Sequence, residues 1–227
     1  ITSRAKNRPE NITQGDLIKM LSVIIRNKNE GRWIGHAIQS CLDYFEKPEI
    51  IIVDNGSTDE SMEIVKEFCF ADIKIYNIDN YTPGRSLNLG ASKATYDNLL
   101  ILSAHSQITG MINMEEIDAL LDKYVAVFGK QVPIYRGRKI NKRYVWSHFT
   151  DKSCENMWSD YENRNFLHNA FCFYRKDTLK KYPFDEGLAS KEDRYWAKDV
   201  VSDGLSYYYD SRLECNHHWT PNGATWK

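Results

Sequence analysis

Four short apolar runs constrain the fold more than any other feature. "LSVII" (21–25), "EIIIVD" (49–54), "IKIYNI" (73–78) and "NLLILSA" (98–104) are rich in β-branched residues and too short for core helices. Such runs read as buried strands. Between the first two, "RWIGHAIQSCLDYF" sets Trp33, Ile34, Ala37, Ile38, Cys41, Leu42 and Phe45 at helical spacing, which predicts a one-faced amphipathic helix. "STDESMEIVKEFCF" opens with a Ser-Thr-Asp cap and continues as a helix, and "GRSLNLGASKA" reads as a loop leading into one. The alternation β-α-β-α-β-α-β implies a mostly parallel sheet covered by helices.

Beyond residue 110 the pattern is mixed. "MEEIDALLDKYVAVFG" reads as helix then strand, and residues 131–165 combine charge and aromatics without a period. "NAFCFYRKDTLKKY" predicts a strand and a short helix, "SKEDRYWAKDVVSDG" a helix capped by Ser190, and "LSYYYDSRLECNHHW" a late strand. Residues 1–18 read as a loose polar lead-in, and the final "TPNGATWK" carries no stop signal, so the chain is compatible with a piece of something longer. With 227 residues and no long linker, one domain is expected, a strand-end half (20–110) followed by a mixed half (111–227).

Lys and Arg number 30 against 31 Asp and Glu, so no global charge argues for a nucleic-acid partner. Cys41, Cys69, Cys154, Cys172 and Cys215 are scattered without CxxC spacing, which suits reduced thiols in a cytosolic protein and offers no zinc site. No apolar run reaches transmembrane length and no signal peptide opens the chain.

In parallel α/β sheets, ligands bind beyond the carboxyl ends of the strands. Those ends read Arg26-Asn27-Lys28-Asn29-Glu30, then Asp54-Asn55-Gly56-Ser57, then Ser103-Ala104-His105. Taken alone, "DNGSTD" is equally well a turn with a helix cap. Taken in order with "RNKNE", "GRSLNLGASKA", "LILSAHS", "YPFDEGLASKEDRYWAKDV" and "CNHHW", the set resembles family 2 glycosyltransferases of the GT-A fold over roughly residues 20–220. It looks closest to a bacterial subgroup whose first strand ends in Arg-Thr-Lys-Asn-Glu.

The resemblance implies a Rossmann-like central sheet with a smaller acceptor-side region. It places Asp54 at the position that holds the nucleobase, with Arg26, Asn29, Glu30 and Asn55 beside it. Arg85 would meet the nucleotide or its phosphates, since a guanidinium offers paired donors to phosphate oxygen. Glu192-Asp193 looks like the family's Glu-Asp pair, with Asp193 as general base and Glu192 against the acceptor. A carboxylate at a helix start gains from the dipole, although a loose capping box from Ser190 to Asp193 would also account for the pattern.

The family pattern usually puts Asp-x-Asp where this chain has Ser103-Ala104-His105. Two solutions follow for the leaving diphosphate. His105 ligates a divalent ion, Mg or Mn, joined by His217 or His218. Alternatively no metal binds, and Arg26, Lys28, Arg85 and residues of "YRGRKINKR" meet the developing charge. The basic-aromatic stretch "YRGRKINKRYVW" (135–146) fits an acceptor loop, a patch facing anionic lipid carriers, or a solvated face.

The resemblance thus implies an inverting glycosyltransferase that uses a nucleotide-sugar donor. Its acceptor would be a glycan or lipid-linked glycan of bacterial surface or capsule polysaccharide, and it would work in the cytoplasm, where it could touch the inner membrane face. The rivals are a sugar-nucleotide nucleotidyltransferase, for which "RNKNEGRW" has too little glycine, and an inactive binding module, against which "KEDRYW" argues.

Overall fold

The computed structural model describes residues 20–140 and 144–223. The lead-in at 1–18, part of the basic stretch (141–143) and the last four residues of the terminal segment lie outside them. Among the described residues, one ten-stranded sheet runs through both halves of the chain.

The first four strands are β1 (Leu21–Asn27), β2 (Glu49–Asp54), β3 (Ile73–Asn77) and β4 (Asn98–Ser103). They pair in parallel, with Asn27 opposite Asp54 and Arg26 opposite Ser103. Alternate side chains serve opposite faces. Ile24, Ile51, Val53, Leu99 and Ile101 pack on one side with Leu87 and Ala91 of helix α3 (Pro83–Lys93). Val23, Ile25, Ile50, Ile52, Leu100 and Leu102 pack on the other with Ile34, Ala37, Ile38 and Cys41 of helix α1 (Gly31–Tyr44). Burial on both faces is why these strands read as unbroken apolar runs.

The chain leaves β1 toward β2 and β3 and returns to β1's other side as β4. Between the carboxyl ends of β1 and β4 the strand order reverses, and a crevice opens there. At residue 104 the chain turns sharply into β5 (Ser106–Gly110), which pairs with the last strand, β12 (Tyr208–His218), at the far edge of the sheet. Strands β6 (Ala126–Tyr135) and β11 (Phe171–Arg175) fill the space between, β11 running antiparallel to both neighbours. The described remainder of 131–165 forms two-residue strands, β7 (Arg138–Lys139), β8 (Cys154–Glu155) and β9 (Trp158–Ser159), the last in a hairpin with β10 (Arg164–Asn165), and one short 3-10 helix (Tyr144–His148). Helices α2 (Ser61–Glu67), α4 (Met114–Lys123), α5 (Lys176–Lys181) and α6 (Glu192–Ser202) complete the set.

Three local expectations are corrected. "GRSLNLGASKA" is helical from its first residue to Lys93, because Thr82 caps the backbone N–H of Arg85 and Pro83 occupies the first turn. Ser190 does not cap α6. The residue before that helix is Lys191 in the left-handed region (φ 62°), which makes no side-chain cap. Helix α2 starts four residues after Ser57, with Asp59 accepting from the Ser61 N–H just outside it.

Candidate active site

The crevice holds a cavity of about 570 Å³. Arg26, Asn27 and Lys28 line it from the end of β1, Ser103, Ala104 and His105 from the end of β4, and Glu192, Asp193 and Arg194 from the first turn of α6. Glu30, Glu162, His168 and Tyr144 complete much of the wall. Seven residues singled out in the sequence therefore share one cavity: Arg26, Lys28, Glu30, Ser103, His105, Glu192 and Asp193.

Asn29, Asp54, Asn55 and Arg85 stand behind it. Asp54 is buried, and its carboxylate accepts from Asn27 Nδ2 (2.8 Å), Ser57 N (2.9 Å) and Ser57 Oγ (2.6 Å). It is thus one residue removed from the cavity wall, through Asn27. Asn29 has a left-handed backbone (φ 52°), and its Oδ1 accepts from Thr58 N at 2.7 Å while its own N–H reaches Ser57 Oγ. Asn55 donates its backbone N–H to Asn27 O at 3.0 Å. These contacts staple the first two strand-end loops together. Arg85 points to Glu186 (3.4 Å) and Asn80 O (3.0 Å), and Asn88 both donates to Phe184 O and accepts from its N–H. Helix α3 thereby fixes the "FDEG" segment that leads into α6.

The electrostatics are concentrated. Arg26 Nη1 lies 3.1 Å from Glu192 Oε1. Burial opposes the charge on Arg26, yet Tyr81, Glu192 and Asp193 around it raise its pKa on balance. Burial raises the pKa of Glu192, and Arg26 only partly offsets this. Asp193 accepts at Oδ1 from Arg194 N (2.9 Å) and at Oδ2 from Asn169 N (3.1 Å) and Arg194 Nη1 (2.8 Å). Lys28 Nζ donates to Asn55 O (2.8 Å) and Gly56 O (2.6 Å) at the cavity edge.

His105 Nε2 meets His217 Nε2 at 3.0 Å, and its Nδ1 lies 3.4 Å from Glu30 Oε1. His217 Nδ1 is 2.8 Å from Gln131 Oε1. Burial, with His105 and His168 beside it, lowers the His217 pKa well below the usual imidazole value. His218 projects from the other side of β12, where its ring stacks on Trp33 at 4.1 Å; burial lowers its pKa to about 4. The three imidazoles therefore do not converge. Among the described residues, no group of three or more His, Cys, Asp or Glu is arranged to hold a metal ion. A resident ion held by protein ligands alone does not fit this donor set.

Asn27, Glu162, His168, Arg194 and Tyr144 were not singled out from the sequence, although all line the cavity. Asn27, Arg194 and Tyr144 lie inside quoted stretches, so their position was the available signal. His168, whose pKa burial lowers well below normal, comes from the turn before β11, where no periodicity marks it.

Residues 22–183 match the family described as Glycosyl transferase family 2. The chain is 28% identical to the minor teichoic acid biosynthesis protein GgaA of Bacillus subtilis, over 86% of this chain and 48% of that protein. It is 31% identical, over 39% of its length and 30% of the relative's, to a Methanococcus voltae dolichyl N-acetyl-alpha-D-glucosaminyl phosphate 3-beta-D-2,3-diacetamido-2,3-dideoxy-beta-D-glucuronosyltransferase. The chain thus spans about half or less of these curated relatives. Among solved structures, S. aureus TarS 1-349 with UDP superposes with a TM-score of 0.67 at 21% identity, covering 89% of this chain and 61% of that one. TarS 1-349 with UDP-GlcNAc gives 0.63 at 20% identity, covering 90% and 60%. These two establish the likeness of fold, which is GT-A. With the ends of β1 and β4 that open the cavity inside the matched span, the chain belongs to glycosyl transferase family 2.

Proposed function

We propose that this chain transfers a glycosyl group, with inversion, from a nucleoside-diphosphate sugar to a hydroxyl of a glycan or lipid-linked glycan in bacterial surface polysaccharide synthesis, capsule included. The observation that carries the reading is the convergence of Asp193, Glu192 and Arg26 on one cavity at the ends of β1 and β4. GgaA's role in teichoic acid biosynthesis and TarS's complexes with UDP and UDP-GlcNAc support the acceptor class and the donor class. No helix among the described residues is long and apolar enough to cross a membrane. The reading places the enzyme in the cytoplasm, at the inner face of the membrane when the acceptor is lipid-linked.

An acceptor hydroxyl attacks the anomeric carbon well only if a positioned base takes its proton. Asp193 fills that role here. Three of the four acceptor positions on its carboxylate are occupied by Asn169 and Arg194, which fix its plane and leave one Oδ1 lone pair for the hydroxyl. Glu192, held by Arg26, contacts the acceptor beside it. Charge growing on the leaving diphosphate meets Arg26 and Lys28 at the end of β1, with His105 at the neighbouring strand end. A divalent ion, Mg or Mn, would have to arrive with the diphosphate itself.

The test is nucleotide release from a panel of sugar nucleotides, with and without EDTA, beside the same assay on Asp193→Asn. Wild type should release nucleotide in an acceptor-dependent manner, with loss of release in EDTA marking an ion carried in by the donor and unchanged release marking charge stabilisation by Arg26 and Lys28 alone. The variant should lose at least roughly a hundredfold in kcat with nucleotide affinity kept within about threefold. Release from no donor would favour an inactive binding module. Undiminished transfer by Asp193→Asn would remove the assigned base.

A further inference from the structure

A cluster of aromatic rings stands at the cavity mouth, unused by the chemistry above. Tyr161 is 74% exposed and Tyr144 43% exposed, and their ring centroids lie 5.4 Å apart. Tyr144 also lines the cavity, as does Glu162, whose Oε1 accepts from the Tyr144 hydroxyl at 3.3 Å. Behind these rings the packing is ordered rather than loose. His148 meets Tyr144 and Tyr161 edge-on, lies flat on Phe166 at 3.9 Å, and Phe166 in turn carries the Arg194 guanidinium at 4.1 Å. Arg194 holds Asp193. Lys191, next to the carboxylate pair, reaches Glu162 at 3.2 Å. A continuous column of contacts therefore runs from the base to two exposed rings.

We propose that the Tyr144–Tyr161 face is a stacking platform for a pyranose ring of the acceptor, next to the ring whose hydroxyl is glycosylated. The assignment rests on the transfer reading above. A pyranose presents a face of C–H bonds and a rim of hydroxyls. Exposed tyrosine rings suit the first, and the polar neighbours Glu162, Lys191 and Ser190 along the same wall suit the second. Continuity with the cavity favours a glycan over a flat protein partner, because the platform joins the pocket that holds both carboxylates. Acceptors would then be preferred with two or more rings over a single sugar.

Binding is read without turnover, by saturation-transfer NMR with the methyl β-glycosides of glucose, galactose, N-acetylglucosamine and N-acetylgalactosamine and their β-linked disaccharides, each with and without UDP. At least one disaccharide should show transfer strongest at its ring C–H protons. Tyr161→Ala should weaken it roughly three- to tenfold, and Tyr161→Phe should retain it, while UDP affinity, titrated separately, stays within about twofold in both. Equal disaccharide affinity in wild type and Tyr161→Ala overturns the proposal, as does a wild type that binds none of the panel. Sedimentation of both proteins covers the remaining occupant: self-association lost in Tyr161→Ala, with saccharide binding untouched, would give the face to a second copy of the chain. Because turnover is not needed, failure here is distinct from an enzyme that releases nucleotide from no donor.

Discussion

Glu192 is the residue whose setting is least comfortable. It opens α6, where the helix dipole favours its charge, yet it is buried and lies beside Asp193. The net effect is a raised pKa, with Arg26 the chief opposing influence. A carboxyl whose folded pKa exceeds its unfolded one costs no stability below the unfolded value. The cost grows as pH rises toward the folded value and stays in full above it. Arg26→Gln removes the nearest cation and pushes Glu192 further up. The variant should therefore lose roughly 2 kcal/mol near pH 7.5, a figure below that of fully buried pairs because Arg26 is partly exposed. Near pH 5 the loss should be clearly smaller. Urea denaturation at the two pH values measures it, and an equal loss at both would mean that Arg26 acts by packing alone. Asp54 and Arg85, which the resemblance places against ligand, are both engaged with neighbouring protein groups here.

At the scale of elements, α3 is a helix whose first turns the sequence pattern took for a loop and on which the site depends. Its first turn sits against the segment before α6, where a Cβ on Gly84 would come within 2.3 Å of Asp185 O, and its last turn presses on β1. A Cβ on Gly90 would fall 2.4 Å from Ile24 Cγ2. Ile24 is β-branched and fully buried, so it cannot swing aside. Gly90→Ala should thus destabilise by about 1–3 kcal/mol despite the better helix propensity, and thermal unfolding reads the loss as a lowered Tm. An unchanged Tm would mean that β1 yields at that point. The glycines and small polar residues that permit this approach are what made the segment resemble a loop, although Thr82-Pro83 carried the helix-start signature. The opposite held for β1, β2 and β4, whose two-sided burial produces apolar runs that can hardly be misread. Strands β7 to β10 have two residues each, too few for any period, and Tyr144, Glu162 and His168 sit in the short helix and turns beside them, so the wall they form was not legible. The carboxylate pair was legible by its resemblance to the family's Glu-Asp pair, and it opens α6.

The molecule as a whole is polarised along its strands. Carboxyl ends carry the cavity, and the amino ends carry a buried ionic cluster with no access to it. Glu49 opens β2 fully buried, and its carboxylate is bound by Ser22 of β1, Lys74 of β3 and Thr95 beyond α3, the Thr95 N–H and hydroxyl at 2.8 and 2.6 Å. One carboxylate thus ties three parallel strands together at the end remote from chemistry. Burial alone would raise its pKa, but Lys74, Ser22 and Thr95 outweigh that and hold it at about 2, against an ordinary 4.5. A lowered carboxyl pKa stabilises the fold fully above the unfolded value and is lost as pH falls through the folded one. The window here runs from about 4.5 down to about 2, and the contribution at neutral pH is about 3 kcal/mol. Glu49→Gln should be less stable than wild type by about that amount at pH 7. The gap should narrow steadily below pH 4.5 and nearly close at pH 2, as the wild-type group protonates too. Paired urea titrations from pH 7 to pH 2.5 measure the difference directly and cancel the other carboxylates common to both proteins. At temperatures where the variant remains folded its transfer rate should match wild type, since nothing in the cluster touches the cavity. A gap that stayed constant with pH would assign Glu49 a packing role, and a lost transfer rate in the folded variant would show that the two ends of the sheet are not independent.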